Sequence, residues 1–356
     1  MSTPRIITIP PQPPLLPTAE EVTACLEDGG VIVLPTDTVY GLACRVDRPD
    51  AVERIFAIKD RPAEKPLPRL VPDPESVRGL VSRVPLVGHR LMRRAWPGAL
   101  TLILGPGDGI AVRAPDHDFA RVVLRASSGV VCATSANASG EPPPRTADEV
   151  REALPEGIDL VVDGGPVNGT ESTIARVSDD GDIEILRTGA LSEEDVQSAA
   201  ATTIAFVCTG NTCRSPMAEA VLRHVLATEL DVAPEELLRN GFRVVSAGVE
   251  AWGGSPITPE AADALEDAGI PVPSHRSQGW TPELAGHVDR AYAMTRHHLF
   301  AMGPDQPPPR SLLDPSGHDI PDPIGCGPGV YRECLQRLIT LIRSRVPEIF
   351  THAPPS

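Results

Sequence analysis

Lysine is almost absent from this chain. Of 32 basic residues only Lys59 and Lys65 are lysines, and the rest are arginines. The two stand on either side of Arg61, which marks a local cationic cluster; two surface charges left by chance is the plainer alternative. Also missing is any apolar run near the ~18 residues of a membrane span, so none is expected. The opening Met1 to Pro17 is proline-rich and lacks the basic-then-apolar order of a secretory signal. Positive charge is in deficit. A net charge of −16 excludes a surface built for unspecific nucleic-acid binding, though not a local basic groove through which nucleic acid could bind. Nor is there a disulfide framework, because the seven cysteines are odd in number and scattered. Two of them, Cys208 and Cys213, lie in a loop that requires reduced thiols, so the expected compartment is the cytoplasm.

What the chain does have is length for two domains, each large enough to bury a core. The expected division is a Pro-rich tail over 1–18, a first domain over 19–191, a linker over 192–202 and a second domain over 203–356. The second domain is organised around Cys208-Thr209-Gly210-Asn211-Thr212-Cys213-Arg214-Ser215-Pro216. The apolar run before it reads as a buried strand, and from Ser215 on the residues turn helical, with Pro216 at a tolerated first-turn position. A loop between strand end and helix start aims backbone N–H groups and the positive end of a helix dipole at one point, which makes an oxyanion cradle. The same cradle favours a thiolate at Cys208, hence a nucleophile. Arg214 can fork two N–H groups onto a phosphoryl group. Gly210 permits the turn and Asn211 can brace it through its side chain. A structural cysteine with an arginine nearby by chance is the alternative, and the strand, loop and helix around it weigh against that.

The pattern Cys, any five residues, Arg, Ser resembles the low-molecular-weight protein phosphatase family. The resemblance implies a phospho-cysteine at Cys208, phosphate held by Arg214 and the loop from Thr209 to Ser215, no metal, and a phosphorylated protein as substrate. Such chemistry needs a general acid for the leaving group. Asp322, in Asp322-Pro323-Ile324-Gly325, is the candidate and Asp314-Pro315 the rival. Trp252 reads either as a wall of the substrate pocket or, in preference, as a loop packing residue. Thr212 stands where tyrosine phosphatases of the family usually carry a bulky aliphatic residue, and Ile324 and Gly325 where they often carry aromatics. Both features resemble protein-arginine phosphatases, so phosphoarginine is favoured over phosphotyrosine. An arsenate-reductase-like thiol enzyme, prompted by Cys213, Cys326 and Cys334, and a phosphate-binding module without turnover are further readings. Cys213 is expected to guard Cys208 by a reversible disulfide.

In the first domain several polar loops follow strand-like runs, where ligands bind in α/β sheets. In order they are Pro35-Thr36-Asp37-Thr38-Val39-Tyr40-Gly41-Leu42, Lys59-x-Arg61-x-x-x-Lys65-Pro66-Leu67, Trp96-Pro97-Gly98-x-x-Thr101, Val112-Arg113-x-Pro115, Thr134-Ser135-Ala136-Asn137-x-Ser139-Gly140 and Glu171-Ser172-Thr173. A basic cluster broken by prolines suits a rigid polyphosphate clamp. Together these stretches resemble the Sua5/YrdC family of threonylcarbamoyl-AMP synthases. The resemblance implies that L-threonine, bicarbonate and ATP, with Mg2+ on the ATP, are joined into threonylcarbamoyl-adenylate, which tRNA-modification proteins take up. It puts threonine near Thr36, Arg113 and Ser172, and ATP near Lys59, Arg61, Lys65, Ser135, Asn137 and Arg187. Leu70 and Pro143 depart from the family, standing where a histidine and a serine are common.

The fold class expected is α/β: a YrdC/Sua5-like twisted mixed sheet followed by a low-molecular-weight phosphatase domain with a four-stranded parallel sheet. A hairpin is expected at Ile174 to Val177 against Ile183 to Leu186, and a closing helix over Val330 to about Val346.

Overall fold

The computed structural model describes residues 4–62, 65–154, 156–303 and 308–350. The chain divides into two compact units at Val196/Gln197. The first contains β1 (Arg5–Thr8), α1 (Leu16–Glu27), β2 (Ile32–Leu34), β3 (Gly41–Arg45), α2 (Pro49–Lys59), β4 (Arg69–Leu70), α3 (Leu86–Ala95), β5 (Leu100–Leu104) and β6 (Ile110–Arg113). It continues with α4 (Asp118–Ala126), β7 (Val131–Ser135), α5 (Ala147–Ala153), β8 (Leu160–Asp163), β9 (Thr173–Val177) and β10 (Ile183–Arg187). The strands form one mixed sheet in the order β1-β8-β2-β3-β7-β4-β6-β5-β9-β10.

Period-two alternation gives that sheet two apolar faces. Ile32 and Leu34 of β2 face α1 and α4, in a cluster with Val22, Leu26, Phe119 and Val123. Val31 and Val33 face the other way, toward Ile55 of α2 and Val150 of α5. Strand β2 is therefore buried on both sides, as its unbroken apolar run requires. Cys44 and Cys132 stand opposite each other on β3 and β7 with their sulfurs 3.6 Å apart, inside the second cluster.

Within the stretch 1–18, expected to be a tail, residues 5–8 instead enter the sheet. Arg5–Thr8 pairs in parallel with β8, because Ile6 and Ile7 give it β propensity and β8 offers an open edge. Helix α1 also begins inside that stretch, at Leu16, with Pro17 at a tolerated first-turn position. The stretch 192–202, expected as a linker, forms α6 (Glu193–Ala200) and the first residue of the next strand.

The second unit contains β11 (Thr202–Cys208), α7 (Arg214–Leu230), β12 (Phe242–Gly248), α8 (Pro259–Asp267), α9 (Pro282–His287), β13 (Arg290–Ala293), α10 (Arg296–Ala301), β14 (Arg310–Leu312) and α11 (Pro328–Phe350). Its four strands, in the order β12-β11-β13-β14, are all parallel. Ile204, Phe206 and Cys208 look toward α7, α8 and α11, and Ala205 and Val207 toward Val288 and Met302 on the opposite face. The central strand β11 thus ends on Cys208 at the carboxyl edge of the sheet, where parallel α/β folds bind ligands. Among the described residues no helix is long and apolar enough to cross a membrane.

Candidate active sites

In the first unit, the ends of β3, β6, β7 and β10 and the loops before β3 and β9 enclose a cavity of about 150 Å³. Thr36, Arg61, Arg113, Ser135, Ser172 and Arg187, all singled out from sequence, line it. Arg113 is buried at the end of β6. Its Nε donates to the Gly98 carbonyl at 2.9 Å, Nη1 to Thr38 Oγ1 at 2.7 Å and Nη2 to Asp37 Oδ1 at 2.6 Å. A guanidinium carries five N–H donors, so the same group that is locked in place has donors beyond those three. Burial pushes its pKa down, and the Asp37 carboxylate acts against that. Thr36 Oγ1 donates to the Val39 carbonyl at 2.7 Å and accepts from the Thr38 and Val39 N–H groups, which shapes the loop before β3 as an ST-turn.

Thr101 and Glu171 complete the wall. Neither was singled out as a site residue in the sequence; Thr101 Oγ1 lies 2.8 Å from Ser172 Oγ, and Glu171 pairs with Arg187 Nη1 at 2.8 Å. The signal for both was present, since each belongs to a motif quoted above.

Lys59 and Lys65 part company. Lys59 is the last residue of α2 and is buried, its Nζ donating to the Ser135 and Asn137 carbonyls and to Asn137 Oδ1. Asn137 Nδ2 in turn donates to the carbonyls of Ala138 and Glu141. Lys59 therefore organises the loop after β7. Burial, and next the charge of Arg61, push its amine down to about 8. Lys65 is exposed and absent from the cavity wall; its carbonyl holds Arg61 through Nε at 2.9 Å. Asp60, left-handed at φ 48°, turns the chain between α2 and Arg61. Leu70 lines the cavity where the family often places a histidine, so the wall there is apolar.

In the second unit, Cys208 Sγ lies 2.9 Å from Ser215 Oγ, on the first turn of α7. The loop between them is braced from inside by Asn211, which is fully buried and left-handed at φ 56°. Its Nδ2 donates to Ser215 Oγ at 3.0 Å and Ser246 Oγ at 2.9 Å, and its Oδ1 accepts the Gln278 N–H at 2.8 Å. Ser246 Oγ donates onward to Glu219 Oε2 at 2.7 Å, and His275 Nε2 lies 2.7 Å from the Asn211 carbonyl. Burial raises the pKa of Glu219, against the hydrogen bond from Ser246. Gln278, His275 and Glu219 did not emerge from sequence reasoning, because they join the loop only through the fold.

Arg214 is buried, and three groups hold its guanidinium: the Ile320 carbonyl at 3.1 Å from Nη1, and Thr209 Oγ1 at 3.4 Å and the Asp322 carboxylate, both from Nη2. The two Asp-Pro carboxylates are thus separated. Asp322 meets Arg214, whereas Asp314 is tied to Arg337 of α11 at 2.9 Å and to the Ser316 N–H. Arg337 first, then the Ser316 groups, hold the Asp314 carboxyl below the usual range against its desolvation. Thr212 is half-buried, with its carbonyl bound by the Thr258 N–H. Cys213 Sγ faces Thr258 Oγ1 at 3.4 Å and the Tyr331 hydroxyl at 3.7 Å. Cys334 is buried in the core, its thiol pushed up to about 11 by burial, while Cys326 is exposed. Trp252 is 89 % exposed, which overturns its reading as a packing residue: the loop after β12 turns its indole into solvent.

Comparison with known families follows the same division. The Sua5/YciO/YrdC family model, described as "Telomere recombination", matches residues 24–189. The model described as "Low molecular weight phosphotyrosine protein phosphatase" matches residues 203–349. Among curated proteins, the threonylcarbamoyl-AMP synthase of Bacillus subtilis is 36 % identical over 195 residues, covering 51 % of this chain and 56 % of its own. That of Stenotrophomonas maltophilia is 35 % identical over 160 residues, which are 41 % of this chain and 86 % of the relative. The chain spans about half the length of the first curated relatives it matches. Among solved structures, P. abyssi Sua5 complexed with L-threonine shares the fold with a TM-score of 0.51 at 24 % identity, covering 68 % of this chain and 92 % of that one.

Proposed function

Because the chain belongs to the threonylcarbamoyl-AMP synthase (Sua5/YrdC) family over its first half and carries a low-molecular-weight phosphatase domain in its second, we propose that it is a bifunctional enzyme. The first domain makes L-threonylcarbamoyladenylate from L-threonine, bicarbonate and ATP. The threonine amine bonds to the bicarbonate carbon with loss of water. A carbamate oxygen then attacks the α-phosphorus of ATP as the bond to pyrophosphate breaks. The observation that carries this reading is the convergence of Thr36, Arg61, Arg113, Ser135, Ser172 and Arg187 on one cavity.

Arg113, already locked by Asp37 and Thr38, takes the threonine carboxylate, with Thr36 and Ser172 beside it. Arg61 and Arg187 take phosphates, and Lys59 acts by holding the Ser135–Asn137 loop in place. No protein nucleophile is needed; positioning and fixed charge do the work. Among the described residues no cluster of three or more histidines, cysteines or carboxylates stands ready for a metal, so magnesium would be carried by the nucleotide's own phosphates. It would neutralise phosphate charge there. The adenylate is consumed by proteins that modify adenosine-37 of tRNA, in the cytoplasm. Pyrophosphate release by the whole chain with threonine, bicarbonate and ATP tests the assignment, and release at the wild-type rate after Lys59→Ala with Lys65→Ala would sink it.

In the second domain Cys208 Sγ attacks the phosphorus of a phosphorylated protein side chain while Asp322 protonates the leaving group. Water then attacks the phospho-cysteine, with Asp322 taking its proton, and phosphate leaves. The placement of Asp322, and not Asp314, beside Arg214 is what supports this role. Phosphoarginine is the favoured substrate. Thr212 offers a hydroxyl acceptor to a donor-rich guanidinium, and Ile324 offers no aromatic stacking partner to a phenol. Phosphotyrosine is the second reading, favoured by the description of the matching family. The ratio of kcat/KM on phosphoarginine and phosphotyrosine peptides decides between them. Cys208→Ser, which leaves the loop amides and Arg214, should bind phosphate without turnover.

A further inference from the structure

One buried titratable group touches the phosphate loop and has no part in the chemistry above. His298 is 2 % exposed, and its Nε2 lies 2.8 Å from Thr209 Oγ1. Its backbone is fixed before its ring is considered: the His298 N–H is capped by Thr295 Oγ1 at 3.2 Å, and the Arg296 N–H by Asp319 Oδ1 at 2.8 Å. The other ring nitrogen, Nδ1, is buried and meets no hydrogen-bond partner among the described residues. A buried polar atom without a partner is costly, and a bare lone pair is tolerated better than an orphan N–H. The proton therefore belongs on Nε2, and His298 donates to Thr209 Oγ1 (a tautomer assigned from the hydrogen-bond network). Burial, then the charges of Arg214 and His297, push the imidazole down to about 4, against Asp322 and Asp319, so the ring is neutral where the enzyme works.

We propose that His298 is a positioning residue of the phosphatase site, acting through Thr209 on Arg214. The proposal rests on the phosphatase reading of that site. Thr209 Oγ1 receives the His298 N–H at 2.8 Å and the Arg214 Nη2 N–H at 3.4 Å, so one hydroxyl joins the imidazole to the guanidinium. The remaining anchors of Arg214, Ile320 and Asp322, both come from the acid loop. Thr209 is the anchor on the phosphate-loop side. With the imidazole in place the Thr209 side chain keeps one rotamer and Arg214 one plane; without it the hydroxyl turns freely and the fork loses its loop-side contact. A planar fork binds phosphate by two parallel bonds only when its plane is set beforehand.

A double-mutant cycle separates this role from simple core filling. His298→Phe keeps a ring and removes its nitrogens; Thr209→Val keeps the shape and removes the hydroxyl. Each should lower kcat/KM on an aryl phosphate about 10-fold, the scale of one lost positioning hydrogen bond, and weaken inorganic phosphate binding by a similar factor. The double variant should be no worse than the worse single one. His298→Gln, whose amide N–H reaches toward Nε2, should recover most of the loss, and it carries the cycle should the Phe variant not fold. Additive losses, unchanged single variants, or a Gln variant as impaired as Phe would overturn the proposal. Phosphate affinity is measured by calorimetry beside turnover. A wild type that binds phosphate without turning over removes the phosphatase reading and leaves the cycle to be decided on affinity; one that binds no phosphate overturns both.

Discussion

Replacing Asn211 tests the phosphate loop as a folded object. Its buried side chain makes three hydrogen bonds, two from Nδ2 and one to Oδ1, and its backbone sits at φ 56°. Alanine loses all three, at about 1 kcal/mol net each, and adds about 1 kcal/mol because a Cβ resists the left-handed region that asparagine tolerates. The sum, about 4 kcal/mol, is a large part of the ~5–15 kcal/mol that holds a domain together. Ser246→Ala breaks two bonds of the same network, from Asn211 Nδ2 and to Glu219 Oε2, and should cost about 2 kcal/mol. Hydrogen exchange of α7 peptides, read by mass spectrometry in the whole chain, reports on this domain separately from the first. Asn211→Ala should speed exchange in α7 far more than Ser246→Ala does. Asn211→Gly, free of the left-handed penalty but more mobile when unfolded, should fall short of Ala by less than about 1 kcal/mol. If Asn211→Ala costs less than Ser246→Ala, the loop is held by its backbone alone and the bracing argument fails.

Three further outcomes are expected. Asp322→Ala should slow phospho-cysteine formation by roughly 10²–10⁴, as for a lost general acid, and Asp314→Ala should leave that step alone while loosening α11; rapid-quench kinetics on both variants decides it. Thr212→Ile should cost about 1–3 kcal/mol on phosphoarginine, whose donors it leaves unpaired, and little on phosphotyrosine; a kcat/KM ratio that does not move removes Thr212 as selector. In the first domain, the folded Lys59 amine lies at about 8 against 10.5 for an ordinary lysine, so between those values the unfolded chain holds more protons. Stability of that domain should rise with pH across this window, and Lys59→Met should remove that slope, as followed by hydrogen exchange of α2.

The parts of both sites that read directly from sequence are those carried by unbroken stretches. Cys208 to Ser215 is one loop on one strand–helix junction, so its composition fixes its geometry. The cavity of the first domain was legible for the same reason: its walls come from short contiguous motifs at the ends of strands and helices. What escaped depends on residues far apart in the chain. Asn211 meets Gln278 and His275, and Ser246 meets Glu219, only because parallel strands bring their ends to one edge. Lys65 shows where spacing misleads about burial. Spacing paired it with Lys59, but α2 ends on Lys59 and the chain turns at Asp60, so one amine is buried and the other is exposed. Strand β1 escaped because four residues among prolines show too little periodicity, and pairing with β8 supplies what propensity does not.

The contact between Arg214 and Asp322 engages one arm of the guanidinium with a group of the chain itself. A carboxylate of the chain stands against the guanidinium that, on the proposed reading, takes the substrate's phosphate oxygens. On that reading an anion that takes Arg214 Nη2 competes with Asp322, and its affinity is an exchange constant rather than a binding constant. The exchange does something useful. On the proposed assignment, the carboxylate displaced from Arg214 takes up a proton and becomes the acid that the leaving group needs, so arrival of substrate and release of that carboxylate are one event. Asp322→Ala should thus move two quantities in opposite directions, binding inorganic phosphate more tightly than the wild type while turning over more slowly. A variant that lost both together would mean that the pair supports the loop and does not guard it.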